Sequence, residues 1–308
     1  MNIQQLRYVA EIARSGFSVS TAAKHLHTAQ PGISSQIRLL EEELGVHIFE
    51  RHGKRLTGLT APGKTVLAMA ERILRDMENI KQVGVEFSNE TSGALSIATT
   101  HTQARYVLPP VVRAFTQRYP NVTLHMHQGN PAQVAEFVRS GISEIAIATE
   151  ALASLDELVT LPCYQWNRCV VAPPGHPILE EQPLTLQAIA RYPIVTYDSD
   201  FTGRSTINQA FSAQGLEPNV VLTALDADVI KTYVELGLGI GLLAGMAFTP
   251  DRDRNLRAVE AGHLFEPSTT RIGFRRGAYL RGYMYAFIEL FAPHLTREVV
   301  EHAAESKT

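Results

Sequence analysis

Two groups of residues in this 308-residue chain have the types and spacing to do chemistry. The first is Thr28, Gln30, Pro31, Ser34, Ser35 and Arg38, followed by Arg51, Lys54 and Arg55. At helical spacing Gln30, Ser34, Ser35 and Arg38 share one face. They are short or forked, carry no acid, and suit hydrogen bonding to base edges in a major groove. The basic trio that follows lies in a predicted hairpin, placed to meet phosphates. The second group is Thr99, Thr100, Thr102 and Gln103, where a predicted strand gives way to a helix. Free N–H groups and the positive end of the dipole draw anions to such a helix start. Hydroxyl and amide donors without a neighbouring Lys fit a small oxyanion held by neutral hydrogen bonds. Thr149, at another strand end, and FTGR (201–204), before a helix, would join them if these loops converge at the carboxyl ends of strands. Helix caps and turns alone would produce the same residues.

The elements that must position the first group are legible from their punctuation. Asn2 caps a first helix bearing Leu6, Val9, Ala10 and Ala13, which Gly16 stops, and Phe17 plugs a three-helix core. Ser18 caps a second helix, and small Ala22 and Ala23 allow a close crossing. Thr28 caps a third, with Pro31 in its first turn where a missing N–H costs little. Ile33, Ile37, Leu40 and Leu44 make its buried stripe, and Gly45 ends it. The sum is a helix-turn-helix with a basic wing, up to about residue 60. An ordinary helical hairpin with a solvated face is the alternative. From Ala61 a long helix runs to about Phe87, with Val66, Ala70, Ile73, Met77, Ile80, Gly84 and Phe87 stepping by fours and threes. Such a seam wants a partner helix, so this helix reads as a dimerising linker, with packing against the chain's own body as the alternative.

Past the polar SNETSG (88–93), strands alternate with helices. Strands are expected at Leu95–Thr100, Asn121–Gln128, Glu144–Thr149, Arg168–Ala172, Ile194–Tyr197, Val220–Thr223, Ile240–Leu243 and Thr270–Phe274. This is an α/β pattern of mostly parallel sheets covered by helices on both faces. The glycines of LGLGIGLL (236–243) follow a helix and enter a strand, the reverse of a dinucleotide fingerprint. His125 and His127 share a strand face but lack a third metal ligand. Cys163 and Cys169 have no CxxC spacing; buried small apolar residues are the favoured reading, with a redox switch as the alternative. No acid–base pair or nucleophile triad stands out, so no cofactor, metal or catalytic residue is expected.

Charge is uneven. Of 28 Lys/Arg and 31 Asp/Glu in the chain, eight and five fall within residues 1–64, a mildly basic head on an acidic body. No leader-like or membrane-length apolar segment is present, so a soluble cytoplasmic protein is expected.

The stretch AAKHLHTAQPGISSQIRLLEEELGVHIFER (22–51) resembles the head of LysR-type transcriptional regulators. IATTHTQARY (97–106), QRYPNVTLHMHQG (117–129), AIATEAL (146–152), LPCYQWNR (161–168), FTGRS (201–205), DADVIKTYVELGLGIG (226–241) and YMYAFIELFAPHLT (283–296) resemble, within that family, the CysB and Cbl branch that controls sulfur assimilation. ERHGKRLTGLTAPGK and TSGALSIATTHTQARY lean towards Cbl, whereas LPCYQWNR and FAPHLTREVV lean towards CysB.

The resemblance implies a winged helix-turn-helix over 1–60, a dimerising linker helix over 61–88 and an effector-binding domain over 89–308. The last would consist of two Rossmann-like subdomains (about 92–163 with 269–300, and about 164–268), as in periplasmic binding proteins. It further implies homotetramers on promoter DNA, contact with RNA polymerase, and activation of cysteine-synthesis genes or of genes for sulfonate and sulfate-ester use. Thr100, Thr102, Gln103, Thr149 and Thr202 would hold the anion, with Trp166 and Arg204 as neighbours. Sulfate, O-acetylserine or its N-acetyl isomer, and adenosine phosphosulfate are the implied effectors. A solute-binding module and a sulfur-metabolite enzyme are the rival classes. The first lacks a reason for the DNA head, and the second lacks a general base.

Overall fold

A computed structural model describes the chain except residues 54, 89–91, 150, 151, 153, 154, 199–201 and 306–308, and except the side chains of 82, 85–88, 202 and 203. It divides into two compact units, Met1–Ser88 with Gly277–Tyr279, and Asn89–Arg276 with Leu280–Thr308.

In the first unit, α1 (Ile3–Arg14) begins with a reciprocal cap in which Asn2 and Gln5 each accept the other's backbone N–H. Gly16 and Phe17 both take positive φ, +61° and +64°, to turn the chain. Phe17 then lays its ring edge-on to Phe49. The Ser18 hydroxyl caps α2 (Val19–His25). The third helix, α3 (Gln30–Leu44), starts from Ala29 without any side-chain cap, so Thr28 does not play the capping role expected of it. Ile33, Ile37 and Leu40 are buried, but Leu44 is 38% exposed, because the helix is ending there as Gly45 turns left-handed. Strands β1 (Phe49–His52) and β2 (Arg55–Leu59) pair antiparallel as the wing.

The long helix α4 spans Ala61–Ser88. A Cβ on its Gly63 would stand 1.9 Å from the Ile48 carbonyl oxygen, so only glycine lets helix and wing approach so closely. The seam expected along α4 splits in two. Val66 and Ala70 are buried or half-buried against the head, whereas Ile73 and Ile80 are exposed. The Phe87 side chain lies outside the described residues.

The second unit holds two five-stranded sheets. One is built from β3 (Ser92–Thr99), β4 (Asn121–Gln128), β5 (Ile145–Ala148), β6 (Leu158–Trp166) and the late strand β12 (Ser268–Arg275), in the order β4-β3-β5-β12-β6. Helices α5 (Leu108–Arg118), α6 (Pro131–Arg139), α10 (Gly282–Phe291) and α11 (Arg297–Glu305) belong with it. The other contains β7 (Arg168–Ala172), β8 (Ile194–Tyr197), β9 (Val220–Ala224), β10 (Ile240–Ala244) and β11 (Arg257–Glu260), ordered β11-β7-β10-β8-β9, with α7 (Leu186–Ala190), α8 (Thr202–Ala213) and α9 (Ala227–Glu235). Every residue of β5, β7, β8 and β10 is buried, as expected of strands covered on both faces.

Pairing is less uniformly parallel than the alternation suggests. Strands β3, β4 and β5, and likewise β8, β9 and β10, run parallel, but β6, β7, β11 and β12 pair antiparallel. The chain passes from one sheet to the other between β6 and β7 and returns between β11 and β12. Each sheet packs apolar residues on both faces, Leu95 and Phe287 against Ala98 and Val134 in the first, Val170 and Phe211 against Val171 and Ile230 in the second. Gly239 and Gly241 serve that packing. Cβ atoms there would sit 2.1 Å from the Pro193 oxygen and 2.6 Å from a Val171 methyl. No helix among the described residues is long and apolar enough to cross a membrane.

Candidate DNA-reading face and effector cleft

On the head, Thr28, Gln30, Pro31, Ser34 and Arg38 are all exposed on or just before α3, and Arg55 is exposed on the wing. The helix delivers them together because its opposite face is consumed by the core. Arg38 leans towards Glu42 at 3.6 Å, with both side chains in solvent, a contact too weak to hold it back from DNA. Lys54 lies outside the described residues.

Arg51 has a different task from its neighbours in the wing. Its guanidinium reaches Glu41 at 2.7 Å, and the same carboxylate accepts the Ile48 and Phe49 N–H groups at 2.9 and 3.2 Å. Glu41 is 6% exposed. Burial pushes its pKa up, yet the two backbone N–H groups and Arg51 outweigh that and leave it below the usual carboxylate value. Sequence reasoning did not single out Glu41 and missed this function. The available signal was an acid at a stripe position, one residue after Leu40.

In the second unit the strand β3 ends at Thr99, whose hydroxyl is spent on the Ile147 carbonyl at 3.0 Å. Thr100 follows, 8% exposed. The chain then enters a π-helical turn at Gln103–Val107, a form found often at functional sites, before α5. Here Thr102 bonds the buried Tyr197 hydroxyl at the end of β8. Burial, partly offset by bonds from Ala244 and Thr102, pushes Tyr197 up to about 12. Gln103 is 2% exposed. Its amide donates to Thr270 at 3.1 Å and accepts from the Tyr164 hydroxyl, so the side chain expected to hold an anion is already engaged by β6 and β12. Its amide nitrogen also lies 4.0 Å from the sulfur of Met246, in the short turn that follows β10.

The other expected ligands flank this turn. Trp166 ends β6 under the Arg168 guanidinium, 5.4 Å from the ring centroid. The next residue's carbonyl takes the Gly245 N–H, beside Met246. Arg204 stands in the first turn of α8, where burial lowers its pKa and the Asp198 charge opposes that. Asp198 directly follows Tyr197, so Thr102, Tyr197, Asp198 and Arg204 form a chain of neighbours. Thr149 is half-buried just after β5. The Thr202 side chain lies outside the described residues. Among those described, Trp166 Nε1, Arg204 Nη1 and His101 Nδ1 are buried without a hydrogen-bond partner, an arrangement that costs stability unless something else accepts from them.

His101 with Asp226 and Asp228 forms a cluster whose ligand atoms lie within 4.8 Å of one another. A metal would fit poorly, because Asp228 already faces Lys231 at 3.4 Å and Arg105 at 3.3 Å. Cys163 and Cys169 are pushed up to about 12 by burial, which keeps both thiols protonated and unreactive.

Comparison with known proteins accords with this geometry. Residues 3–64 match the model of the bacterial regulatory helix-turn-helix protein, lysR family, and residues 88–296 match the LysR substrate binding domain. The chain is 56% identical to the HTH-type transcriptional regulator SsuR of Burkholderia cenocepacia, over 96% of each chain. It is 51% identical to the regulator CysB of the same organism, over 100% of this chain and 98% of the other. The crystal structure of the cofactor-binding domain of the Cbl transcriptional regulator aligns with a TM-score of 0.68 at 43% identity, covering 71% of this chain and 96% of that one. The fold of the second unit thus recurs in the solved Cbl domain. The chain belongs to the LysR family of transcriptional regulators, in the sulfur-assimilation branch that includes CysB, SsuR and Cbl.

Proposed function

We propose that this regulator controls promoters of sulfur-assimilation genes, chiefly as an activator, and that a small anionic sulfur metabolite bound between the two sheets of its second unit sets its activity. The observation that carries the effector reading is the pair of buried, partnerless donors on Trp166 and Arg204, beside the turn bearing Thr100, Thr102 and Gln103. Donors left unmet in a folded protein are an expense that an oxyanion would remove. Thr100, Thr102, the Gln103 backbone, Thr149, Thr202, Trp166 and Arg204 are the assigned ligands. We read the site as one that binds its ligand without turning it over. On DNA, Thr28, Gln30, Pro31, Ser34 and Arg38 read bases, and Lys54 and Arg55 hold flanking phosphates. The exposed Ile73 and Ile80 pair α4 with a second copy. Homodimers placing two heads on two half-sites, joined into tetramers in the cytoplasm and able to touch RNA polymerase, complete the reading.

Calorimetric titration with sulfate, thiosulfate, adenosine phosphosulfate and O-acetylserine at fixed ionic strength tests it. Saturable binding of one ligand, lost in Thr100→Val, supports the pocket. Silence from all four removes the sulfur effector and leaves the DNA-binding function standing.

A further inference from the structure

The same turn that carries Thr100, Thr102 and Gln103 also sends two side chains into the second sheet's half of the unit. Tyr106 packs its ring against the apolar cluster of Val171, Tyr197, Ala227 and Ile230. Its hydroxyl donates to Asp228 Oδ1 at 2.7 Å and accepts from Lys231 Nζ at 3.0 Å. Arg105 pairs with the other Asp228 oxygen at 3.3 Å. Lys231 itself is 6% exposed. It spends its remaining donors on the Ala247 carbonyl at 3.0 Å and on Asp253 at 2.9 Å, and Asp253 is anchored in turn by the Thr249 N–H at 2.8 Å. The lysine also sits 5.1 Å from the centroid of the Tyr106 ring.

This arrangement is costly to build. A buried lysine and a buried aspartate are retained only where each is fully paired. Of the polar contacts within this cluster, those of Arg105 and Tyr106 are the ones that cross from the first sheet's part of the chain to the second's. Subdomain closure and ligand binding must be linked wherever one segment touches both, since a ligand shifts an equilibrium only by its different affinity for the two states. Residues 100–103 and residues 105–106 are such a segment, one helical turn apart.

We infer that Tyr106, Asp228 and Lys231 are positioning residues for the effector site, forming a polar latch across the cleft that holds the Thr100–Gln103 turn in its ligand-receiving geometry. The latch itself is independent of which ligand binds, but its effect on affinity rests on the effector reading above. Lys231→Met would strip the buried Asp253 of its cation, so it tests folding as much as the latch. Tyr106→Phe is cleaner, because the ring stays in the apolar cluster and only the hydroxyl leaves.

The experiment compares full-length wild type, Tyr106→Phe, and the control Tyr192→Phe by amide hydrogen exchange without ligand, followed by calorimetry with whichever of the four candidate ligands binds wild type. Tyr192 lies in the other apolar cluster of the second sheet, away from the latch. The expected result is exchange faster by about ten-fold in residues 103–107 and 226–231 of Tyr106→Phe, with the melting of the cores unchanged. A loss of anion affinity of about ten-fold should accompany it, the scale of one hydrogen bond to charged groups. Unchanged exchange at both segments overturns the latch. Faster exchange with unaltered affinity overturns its positioning role. If no anion binds wild type, the effector reading and the claim on affinity fall together, while the exchange data still decide the latch.

Discussion

Removal of the Glu41 carboxylate should loosen the wing from the recognition helix without dissolving the head. Glu41 Oε1 accepts two backbone N–H groups, from Ile48 and Phe49, and Oε2 pairs with Arg51. The carboxylate is almost fully enclosed, with side-chain exposure of 5%, whereas Arg51 is 43% exposed. Stripping one partner from a buried ion pair costs about 3–5 kcal/mol, and solvent around Arg51 argues for the lower end. Glu41→Ala should therefore cost about 3 kcal/mol of local stability, a factor of roughly 150 in opening. Glu41→Gln retains an acceptor and should cost about 1–1.5 kcal/mol, the difference between charged and neutral bonds.

Amide exchange at Ile48 and Phe49 in the full-length protein reads this directly. It should accelerate in the order wild type, Gln, Ala, while Val9 and Ile12 in the α1 core stay protected. Operator footprints should lose the flanks, where the wing lies, before the centre. The pH dependence has a determined sign. A carboxyl held below its usual pKa adds stability above the ordinary carboxylate range and loses it as pH falls through the folded value. The gap between wild type and Glu41→Gln should thus close on acidification. Equal protection at Ile48 and Phe49 in wild type and Glu41→Ala would refute the reasoning.

Other outcomes follow from single contacts. Trp166→Phe removes a buried N–H that has no partner, so the ligand-free protein should melt no lower than wild type, while effector affinity falls by about 1.5–3 kcal/mol; calorimetry showing unchanged affinity would take Trp166 out of the ligand set. Arg38→Ala should lower operator affinity by about 1–3 kcal/mol and relax sequence preference, and an equal loss on random DNA in a gel-shift titration would reduce Arg38 to a backbone contact. Ile80, 72% exposed on α4, should when changed to Asp halve the assembly seen by sedimentation with the head still folded; an unchanged mass would place the interface elsewhere. Cys163 and Cys169, with thiols pushed up to about 12, should resist iodoacetamide at pH 8 in the native protein and react in urea. Rapid native labelling would contradict the burial.

The head and the α/β class were legible because both are written in local periodicity. Apolar residues at Ile33, Ile37 and Leu40, and uninterrupted runs such as IAIA at 145–148, report burial without knowledge of the partner. What was not legible depended on distant chain. The strand β6 carries Pro162 and polar Thr160, Tyr164 and Gln165, so it lacks a strand signature, and it is held by eight residues of β12 more than a hundred positions later. The same distance hid the engagement of Gln103 by Tyr164 and Thr270. Lys231 and Asp253 look like ordinary helix and loop charges until the fold buries them side by side.

Thr28 and Leu44 failed for a smaller reason. Both sit at the limits of α3, where capping and fraying shift by a residue or two.

The polar groups of the molecule separate by what satisfies them. Glu41, Lys231, Asp253 and Gln103 are buried and fully engaged by the protein, so they define positions. Trp166 Nε1 and Arg204 Nη1 are buried and unmet, so they carry a cost in the folded chain. Arg38, Ser34 and Arg55 are exposed and gain little from the fold. A regulator needs all three kinds. The engaged groups keep the wing and the 100–106 turn in place, which lowers the ordering entropy that a partner would otherwise oppose. On the proposed effector reading, the unmet donors would be better satisfied with an oxyanion than without one, which would give a small ligand a differential free energy between conformations. The exposed side chains remain available for DNA. Moving any one of these residues into another class, as Tyr106→Phe or Glu41→Gln would do in part, should change coupling before it changes the fold.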